Sequence, residues 1–137
     1  MNSALQCLTT IAPLNSLILS TSDMSPSTND KLVFGLYKEY LQNYTSLSSN
    51  GSISPTSLFR HMKRINQRLT PGRQHDAHEY SLSLLGHLED VYKKANKLTA
   101  FESVFGGKLV SQIICSKCNH ASNSFEDMTS ISVVLWA

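Results

Sequence analysis

The hydrophobic periodicity of this chain changes from helical to strand-like near residue 100, and this change limits the fold more than any other feature. Upstream, apolar residues recur every three or four positions in four segments, as in amphipathic helices. Downstream, residues 108–114 and 128–136 have the β-branched, short-period composition of strands, with a Cys-x-x-Cys knuckle and a polar, hairpin-like stretch between them. Helices followed by strands in this way indicate an α+β protein.

The first two predicted helices are separated by a long polar loop. The first covers residues 2–11 and is expected to end before Pro13, because proline removes a helical hydrogen bond. Residues 20–29 are rich in Ser, Thr, Asp and Pro and have no apolar period, which predicts a surface loop. The second helix then begins near Asp30, an N-cap candidate, and continues to Tyr44.

Proline also marks the limits of the next two predicted helices. After a polar loop over residues 45–54, Ser54-Pro55 supplies an N-cap followed by proline at the first helical position. The apolar stripe of this third helix is Leu58, Phe59, Met62, Ile65 and Leu69. Pro71-Gly72 ends it, and a longer fourth helix begins close to Asp76. The predicted buried stripe of that helix is Ala77, Tyr80, Leu84, Leu88 and Val91.

Charge, hydropathy and cysteine usage argue against several classes of function. Twelve basic and ten acidic residues give a net charge of +2, which is too balanced for nucleic acid or an anionic membrane as main partner. The apolar stretch over residues 11–19 is too short to span a bilayer. Three cysteines do not make the even framework of a secreted disulfide scaffold. We therefore expect an intracellular chain, cytoplasmic or nuclear, that binds neither nucleic acid nor membrane.

Cys7 and the histidines are the first candidates for nucleophilic chemistry. A reactive cysteine needs a lowered pKa, which a helix N-terminus or a neighbouring imidazole provides. Cys7 lies inside the first predicted helix, within its apolar pattern, and is expected to be a small core side chain. Four histidines on or beside predicted helices are expected to be surface or partly buried residues rather than general bases. They are His61, His75, His78 and His87.

Asp76 and Glu79 stand three positions apart at the start of the fourth predicted helix. This is the spacing of a capping box, in which each side chain accepts a hydrogen bond from a backbone N–H of the first turn. Negative charge at this end also interacts favourably with the helix dipole. Helix capping therefore accounts for both residues without a functional role.

Cys115 and Cys118 have the spacing of one zinc knuckle, in which a tight turn directs two thiolates to the same metal. Structural zinc takes four ligands, so this pair is a half-site, and zinc is expected only with a second cysteine pair that residues 119–137 do not contain. His120 is one residue removed from Cys118, a spacing outside the common finger patterns. We therefore do not expect it to be a third ligand.

Three blocks of this sequence resemble the ubiquitin-specific proteases. Residues 1–8, Met-Asn-Ser-Ala-Leu-Gln-Cys-Leu, are similar to the second half of that family's cysteine box. Residues 72–80 are similar to its Gln-Gln-Asp-Ala-His-Glu-Phe block, although His75 stands where the family usually has Gln or Glu. Residues 105–107, leading into the Cys-x-x-Cys, look like the strand that enters its zinc-bearing fingers. The resemblance covers nearly the whole chain and less than half of a complete catalytic core.

The resemblance implies a truncated papain-like cysteine protease fold. It predicts a helical thumb over residues 1–100 and the start of the β fingers and palm, with one zinc knuckle, over residues 101–137. The implied reaction is thiol-dependent hydrolysis of the bond after the C-terminal glycine of ubiquitin, with ubiquitin and ubiquitinated proteins as partners. No catalytic residue is expected in this chain, because the nucleophile would lie two residues before Met1 and the base after Ala137. Alone, these residues are expected to be inactive, either as part of a longer enzyme or as a degenerate relative.

The resemblance also gives Asp76 and Glu79 a second role. In the family, acidic residues of this block line the cleft that receives the arginine-bearing C-terminal tail of ubiquitin, and carboxylates pair well with arginine. Capping alone and capping with substrate contact both remain open. The main alternative function is a non-catalytic ubiquitin-binding or interaction module that presents the same two residues. A zinc-binding nucleic-acid module has less support, since it rests on the cysteine pair and the basic stretch over residues 60–73.

Overall fold

The computed structural model of this chain describes residues 1–22, 28–48 and 51–131. Within them, helices precede a two-stranded antiparallel sheet, which confirms the α+β class. The elements are α1 (Asn2–Thr9), α2 (Ala12–Ser20), α3 (Asn29–Thr45), α4 (Thr56–Arg60), α5 (Met62–Ile65), α6 (Ala77–Lys94), α7 (Leu98–Phe105), β1 (Gly107–Ile114) and β2 (Ala121–Met128). They form two compact units, one of residues Met1–Leu98 and a second that begins at Thr99.

The core of the first unit is built around the packed pair α3 and α6, which the other helices of the unit surround. The rings of Phe34 on α3 and Tyr92 on α6 meet edge to face at 6.1 Å, a favourable aromatic arrangement. The predicted stripe of α6 is confirmed except at its first position, since Tyr80, Leu84, Leu88 and Val91 are buried whereas Ala77 is half-buried. The core of this unit also contains Leu14, Ile18, Val33, Phe34, Tyr37, Leu41, Leu58 and Leu69.

Pro13 begins a helix that the sequence analysis did not predict. The first helix, α1, ends at Thr9, and α2 follows with Pro13 in its first turn, where a missing backbone N–H costs nothing. Leu14 and Ile18 of α2 are fully buried. None of the described helices is by itself long and apolar enough to cross a membrane; α1 and α2 reach that length only together, across an 86° bend.

The predicted N-cap of the second helix is wrong, and Asp30 has a different role. The cap of α3 is Thr28, whose hydroxyl accepts the Lys31 N–H. The Asp30 carboxylate instead contacts two residues of α6: Oδ1 lies 2.6 Å from Nδ1 of His87, and Oδ2 accepts a hydrogen bond from Lys94. The other ring nitrogen of His87 lies 3.0 Å from the Ile65 carbonyl oxygen of α5. One carboxylate and one imidazole therefore connect three helices.

The third predicted helix is broken into α4 and α5 at His61, whose ψ of 17° departs from helical geometry. Nδ1 of His61 lies 2.8 Å from the Ser57 carbonyl oxygen, one turn earlier. Pro55, rather than Ser54, is the N-cap of α4. Phe59 was predicted to be in the core but is 41% exposed, because the break separates its position from the buried face that continues in α5.

The second unit contains α7 from its second residue onward and the hairpin of β1 and β2. The register pairs Gly107 with Met128 and Ile114 with Ala121, and both strands are largely exposed. The strand at 108–114 is confirmed, whereas the polar stretch before residue 128 is β2 rather than a connection. β2 ends where the second predicted strand begins, and residues 132–136 of that prediction lie outside the described residues. The sequence analysis also missed α7.

The Asp30 contacts predict an acid-sensitive contribution to stability. Hydrogen bonds from Lys94 and His87 lower the pKa of the Asp30 carboxyl below its ordinary value. A lowered folded-state pKa stabilises the fold above the ordinary value of about 3.9, and this contribution is lost as the pH falls toward the folded-state pKa. Asp30→Asn should lower the free energy of unfolding at pH 7 by about 2 kcal/mol in urea titrations and flatten its acid dependence.

Asp127→Asn is the matched control. Asp127 pairs with Lys108 across the hairpin at 3.1 Å, but its side chain is 89% exposed, and exposed ion pairs contribute little. Equal losses of stability in the two variants would contradict the role assigned to Asp30.

Candidate functional site

The start of α6 is held by the carboxylate of Asp76. Asp76 is the N-cap, and its Oδ1 accepts the backbone N–H of His78 at 2.8 Å. This satisfies one of the N–H groups that have no partner inside the helix. The side chain remains exposed to solvent. The predicted capping role of Asp76 is therefore confirmed, and its charge remains accessible at the positive end of a long helix.

Glu79 does not complete the predicted capping box. Its Oε1 accepts a hydrogen bond from the Asn66 side-chain amide at 3.3 Å, rather than from the backbone N–H of Asp76. The same amide donates to the Ser83 hydroxyl at 3.0 Å, one turn further along α6. Asn66 follows directly after α5, so these bonds attach the end of α5 to the side of α6. The half-buried carboxylate of Glu79 thus belongs to a polar network between two helices.

The turn between Asn66 and Asp76 is fixed by side chains and by one glycine. Nε2 of His75 lies 2.8 Å from the Thr70 backbone nitrogen and 3.0 Å from the Thr70 carbonyl oxygen. Asn66 Oδ1 accepts the Arg68 N–H at 3.0 Å. Gly72 has φ +81°, a conformation that favours glycine because it has no Cβ. The departure from the family pattern at His75 therefore has a local structural role.

A cavity of about 470 Å³ lies beside this turn and is the best candidate for a binding cleft. The beginning of α1, the segment before α4, and the turn before α6 all contribute to its wall. Lining residues include Met1, Asn2, Phe59, Arg73, His75 and Tyr80. The sequence blocks around residues 1–8 and 72–80, which resemble one family, therefore line the same cavity. The partly exposed ring of Phe59, which the sequence analysis had assigned to the core, forms an apolar part of the cavity wall.

The hydroxyl group of Tyr80 is buried at this wall without a hydrogen-bond partner among the described residues. Burial raises the pKa of the Tyr80 hydroxyl, and the nearby Tyr40 raises it further. The group therefore stays protonated and keeps one donor. A buried polar group of this kind costs free energy until it finds a partner. The sequence alone gave little indication of this buried hydroxyl group, because Tyr80 also fits the apolar stripe of α6.

The prediction that Cys7 is a core side chain is wrong. Ala4, Leu5, Leu8 and Thr9 form the buried face of α1, whereas Cys7 is exposed. At about 100° per residue, Cys7 lies well away from the centre of that face, although it is surrounded by apolar positions in the sequence. It is also five residues beyond the helix start, where the dipole has little effect.

The four helical histidines are half-buried or exposed, as predicted. His61 and His75 face backbone groups of nearby residues, and His87 lies between a carboxylate and a carbonyl. His78 is exposed and contributes its backbone N–H to the Asp76 cap. These contacts fix helix ends and turns.

Cys115 and Cys118 lie in the turn between β1 and β2, and both are exposed. The Cys115 N–H donates to the His120 carbonyl, and the Asn119 N–H donates to the Cys115 carbonyl, both at 2.9 Å. Backbone N–H groups of Cys118 and Lys117, together with the Cys118 thiol, lower the pKa of the Cys115 thiol. The two cysteines therefore lie in one short turn, and both side chains are accessible to solvent. Within the described ranges, no group of three or more His, Cys, Asp or Glu could hold a metal.

Comparison with known proteins gives a consistent match along the chain. The family model described as ubiquitin carboxyl-terminal hydrolase matches residues 1–133. Ubiquitin carboxyl-terminal hydrolase 15 of Arabidopsis thaliana is 30% identical over 98% of this chain. Ubiquitin C-terminal hydrolase 15 of Oryza sativa subsp. japonica is 27% identical over 96%. Probable ubiquitin carboxyl-terminal hydrolase 16 of Schizosaccharomyces pombe is 26% identical over 97%. The chain spans 16%, 15% and 32% of these relatives, respectively.

Two substitutions distinguish the stabilisation due to the Asp76 cap hydrogen bond from that due to the charge of its carboxylate. Asparagine is as good an N-cap as aspartate, whereas alanine cannot accept the His78 N–H. We expect Asp76→Ala to lower the free energy of unfolding by about 1 kcal/mol and Asp76→Asn to leave it nearly unchanged, as measured by urea titration. Equal destabilisation by both variants would show that the charge, rather than the hydrogen bond, stabilises the start of α6.

Proposed function

This chain belongs to the ubiquitin carboxyl-terminal hydrolase family, and we propose that it forms part of the catalytic domain of a thiol-dependent deubiquitinase. The observation that carries the proposal is the family match over residues 1–133. Residues from the matched blocks at 1–8 and 72–80 line one cavity, although Asp76 and Glu79 are not among its lining residues. In this proposal the helical unit is the thumb of a papain-like fold, and the hairpin begins its fingers and palm.

The proposed reaction is hydrolysis of the bond after the C-terminal glycine of ubiquitin. A cysteine thiolate attacks the carbonyl carbon, the amine leaves with a proton, and water then releases the acyl group. None of the three cysteines described above occupies the expected position of this nucleophile. Cys7 lies within α1, and the other two lie in the hairpin turn. We therefore propose that the nucleophile and its base are supplied from outside residues 1–137.

In this proposal, residues 1–137 contribute to substrate binding. Met1 and Asn2, at the start of α1, line the cavity together with His75 and Tyr80. Asp76 and Glu79 lie between those last two positions in the sequence, and Asp76 is exposed. An exposed carboxylate can form charge-assisted, bidentate hydrogen bonds with an arginine side chain. We propose that these two carboxylates contact the arginine-bearing C-terminal tail of ubiquitin.

Zinc would have a structural role in this proposal. Cys115 and Cys118 would provide two of its four ligands, and a second cysteine pair from outside residues 1–137 would provide the others. Bound zinc would hold the tip of the hairpin in place. The proposed partners are ubiquitin and ubiquitinated proteins, rather than nucleic acid or membrane, in the cytoplasm or nucleus.

Residues 1–137 alone are predicted to have no hydrolase activity, because removing a nucleophile costs several orders of magnitude in rate. The test is incubation with ubiquitin that carries a fluorogenic C-terminal amide, with an active deubiquitinase as positive control. No release of the fluorophore is expected. Release that is abolished by Cys7→Ser would contradict the proposal, because it would identify Cys7 as the nucleophile.

Ubiquitin binding tests the proposed role of the two carboxylates. Asp76→Asn keeps the helix cap and Glu79→Gln keeps a hydrogen-bond acceptor for Asn66, so each removes charge with little effect on folding. Each substitution should weaken binding about tenfold in a calorimetric titration, the effect of losing one charge-assisted hydrogen bond. Thermal unfolding of each variant would verify the fold.

Ubiquitin that lacks its C-terminal tail is the matched control ligand. Its affinity should be the same for the wild-type chain and both variants, because the proposed contacts are absent. Unchanged affinity of Asp76→Asn and Glu79→Gln for intact ubiquitin would refute the tail contact. Tail-independent binding would favour the alternative, a non-catalytic ubiquitin-binding module.

A further inference from the structure

We propose that Cys115 and Cys118 form a reversible intrachain disulfide when the chain meets a hydroperoxide. This oxidation site is independent of the proposed deubiquitinase activity, since it needs only the hairpin turn. It would make the tip of the hairpin sensitive to the redox state of its surroundings.

The backbone turn places the two cysteine side chains on neighbouring positions. The Asn119 N–H donates to the Cys115 carbonyl oxygen at 2.9 Å, which closes a single helical-type turn over residues 115–119. In such a turn, side chains three positions apart have Cβ atoms about 5–6 Å apart. A disulfide then needs only a small closing movement.

The closing bonds of the hairpin hold this turn in place. The Cys115 N–H donates to the His120 carbonyl oxygen at 2.9 Å, which continues the ladder that pairs Ile114 with Ala121. Asn119 has φ +55°, a left-handed conformation that asparagine tolerates and that reverses the chain. The hairpin therefore keeps the two cysteines within one turn.

Both thiols are accessible to a small oxidant, because Cys115 and Cys118 are exposed. In the first step, one thiolate attacks the hydroperoxide, which breaks the O–O bond, gives a sulfenic acid and releases hydroxide or an alkoxide. In the second step, the other sulfur attacks the sulfenic sulfur, loses its proton and displaces water. Overall, two thiols are oxidised by two electrons, and one peroxide is reduced. A dithiol reductant reverses the bond by exchange.

Cys7 provides an internal comparison. It is also exposed, but it lies in the other unit, on α1, and its sulfur has no thiol three positions away. A chain with Cys7→Ser isolates the proposed pair, and a chain with Cys115→Ser and Cys118→Ser isolates Cys7. All three side chains are exposed, so serine should not disturb the core.

The test is oxidation of the 137-residue chain carrying Cys7→Ser by hydrogen peroxide, with a chelator present to remove bound metal. Free thiols are then blocked with maleimide, and the intact mass is measured. We expect loss of both maleimide-reactive thiols and of the mass of two hydrogen atoms in the monomer, with full recovery after dithiothreitol. Adding Cys118→Ser should stop the reaction at a sulfenic acid that dimedone traps.

Three results would overturn the proposal. The first is retention of both reactive thiols under conditions that convert the Cys7-only chain to a sulfenic acid. The second is formation of interchain dimers in place of an oxidised monomer. The third is closure at the same rate in urea, where the turn is unfolded, because the folded hairpin would then have no part in bringing the thiols together. Hydrolase activity is not measured, so failure of the proposed function would leave this result unaffected.

Discussion

The packing of α3 against α6 is the contact on which the helical unit depends. These are the longest helices in the described part of the chain, and they share the aromatic contact between Phe34 and Tyr92. At one edge of this pair, Asp30 and His87 add polar contacts that also reach the end of α5. Hydrophobic burial supplies most of the stabilisation in such a pair, and the polar contacts add to it. The start of α6 and its neighbouring cavity are positioned by the same pair.

The sequence predicted those parts of the fold where one pattern dominates. In α6, the apolar stripe and the acidic N-cap agree with each other, and the helix was predicted nearly to its first residue. Prediction was less successful where local rules compete. The first helix does end before Pro13, as expected, but Pro13 also lies in the first turn of α2, which was not predicted, since proline disfavours the helix interior but is accepted in the first turn. β2 was missed because its polar residues are paired by backbone hydrogen bonds and not by burial.

The candidate site was only partly predictable for a related reason. Asp76 was identified as a cap because capping depends on neighbours in sequence. The partners of Glu79 and Asp30 are far away along the chain, so local reasoning assigned both to helix caps that they do not form. The cavity beside residues 72–80 combines segments from the beginning and middle of the chain, which only the tertiary structure brings together. The family resemblance had grouped the sequence blocks without giving their contacts.

Gly72 sets a limit on how this chain can vary. The space around a Cβ atom at this position is open, so neighbouring atoms would not collide with a side chain. The restriction comes instead from the backbone, because a φ of +81° is costly for residues other than glycine. A replacement at Gly72 is therefore limited by the handedness of L-amino acids and not by the space around the side chain.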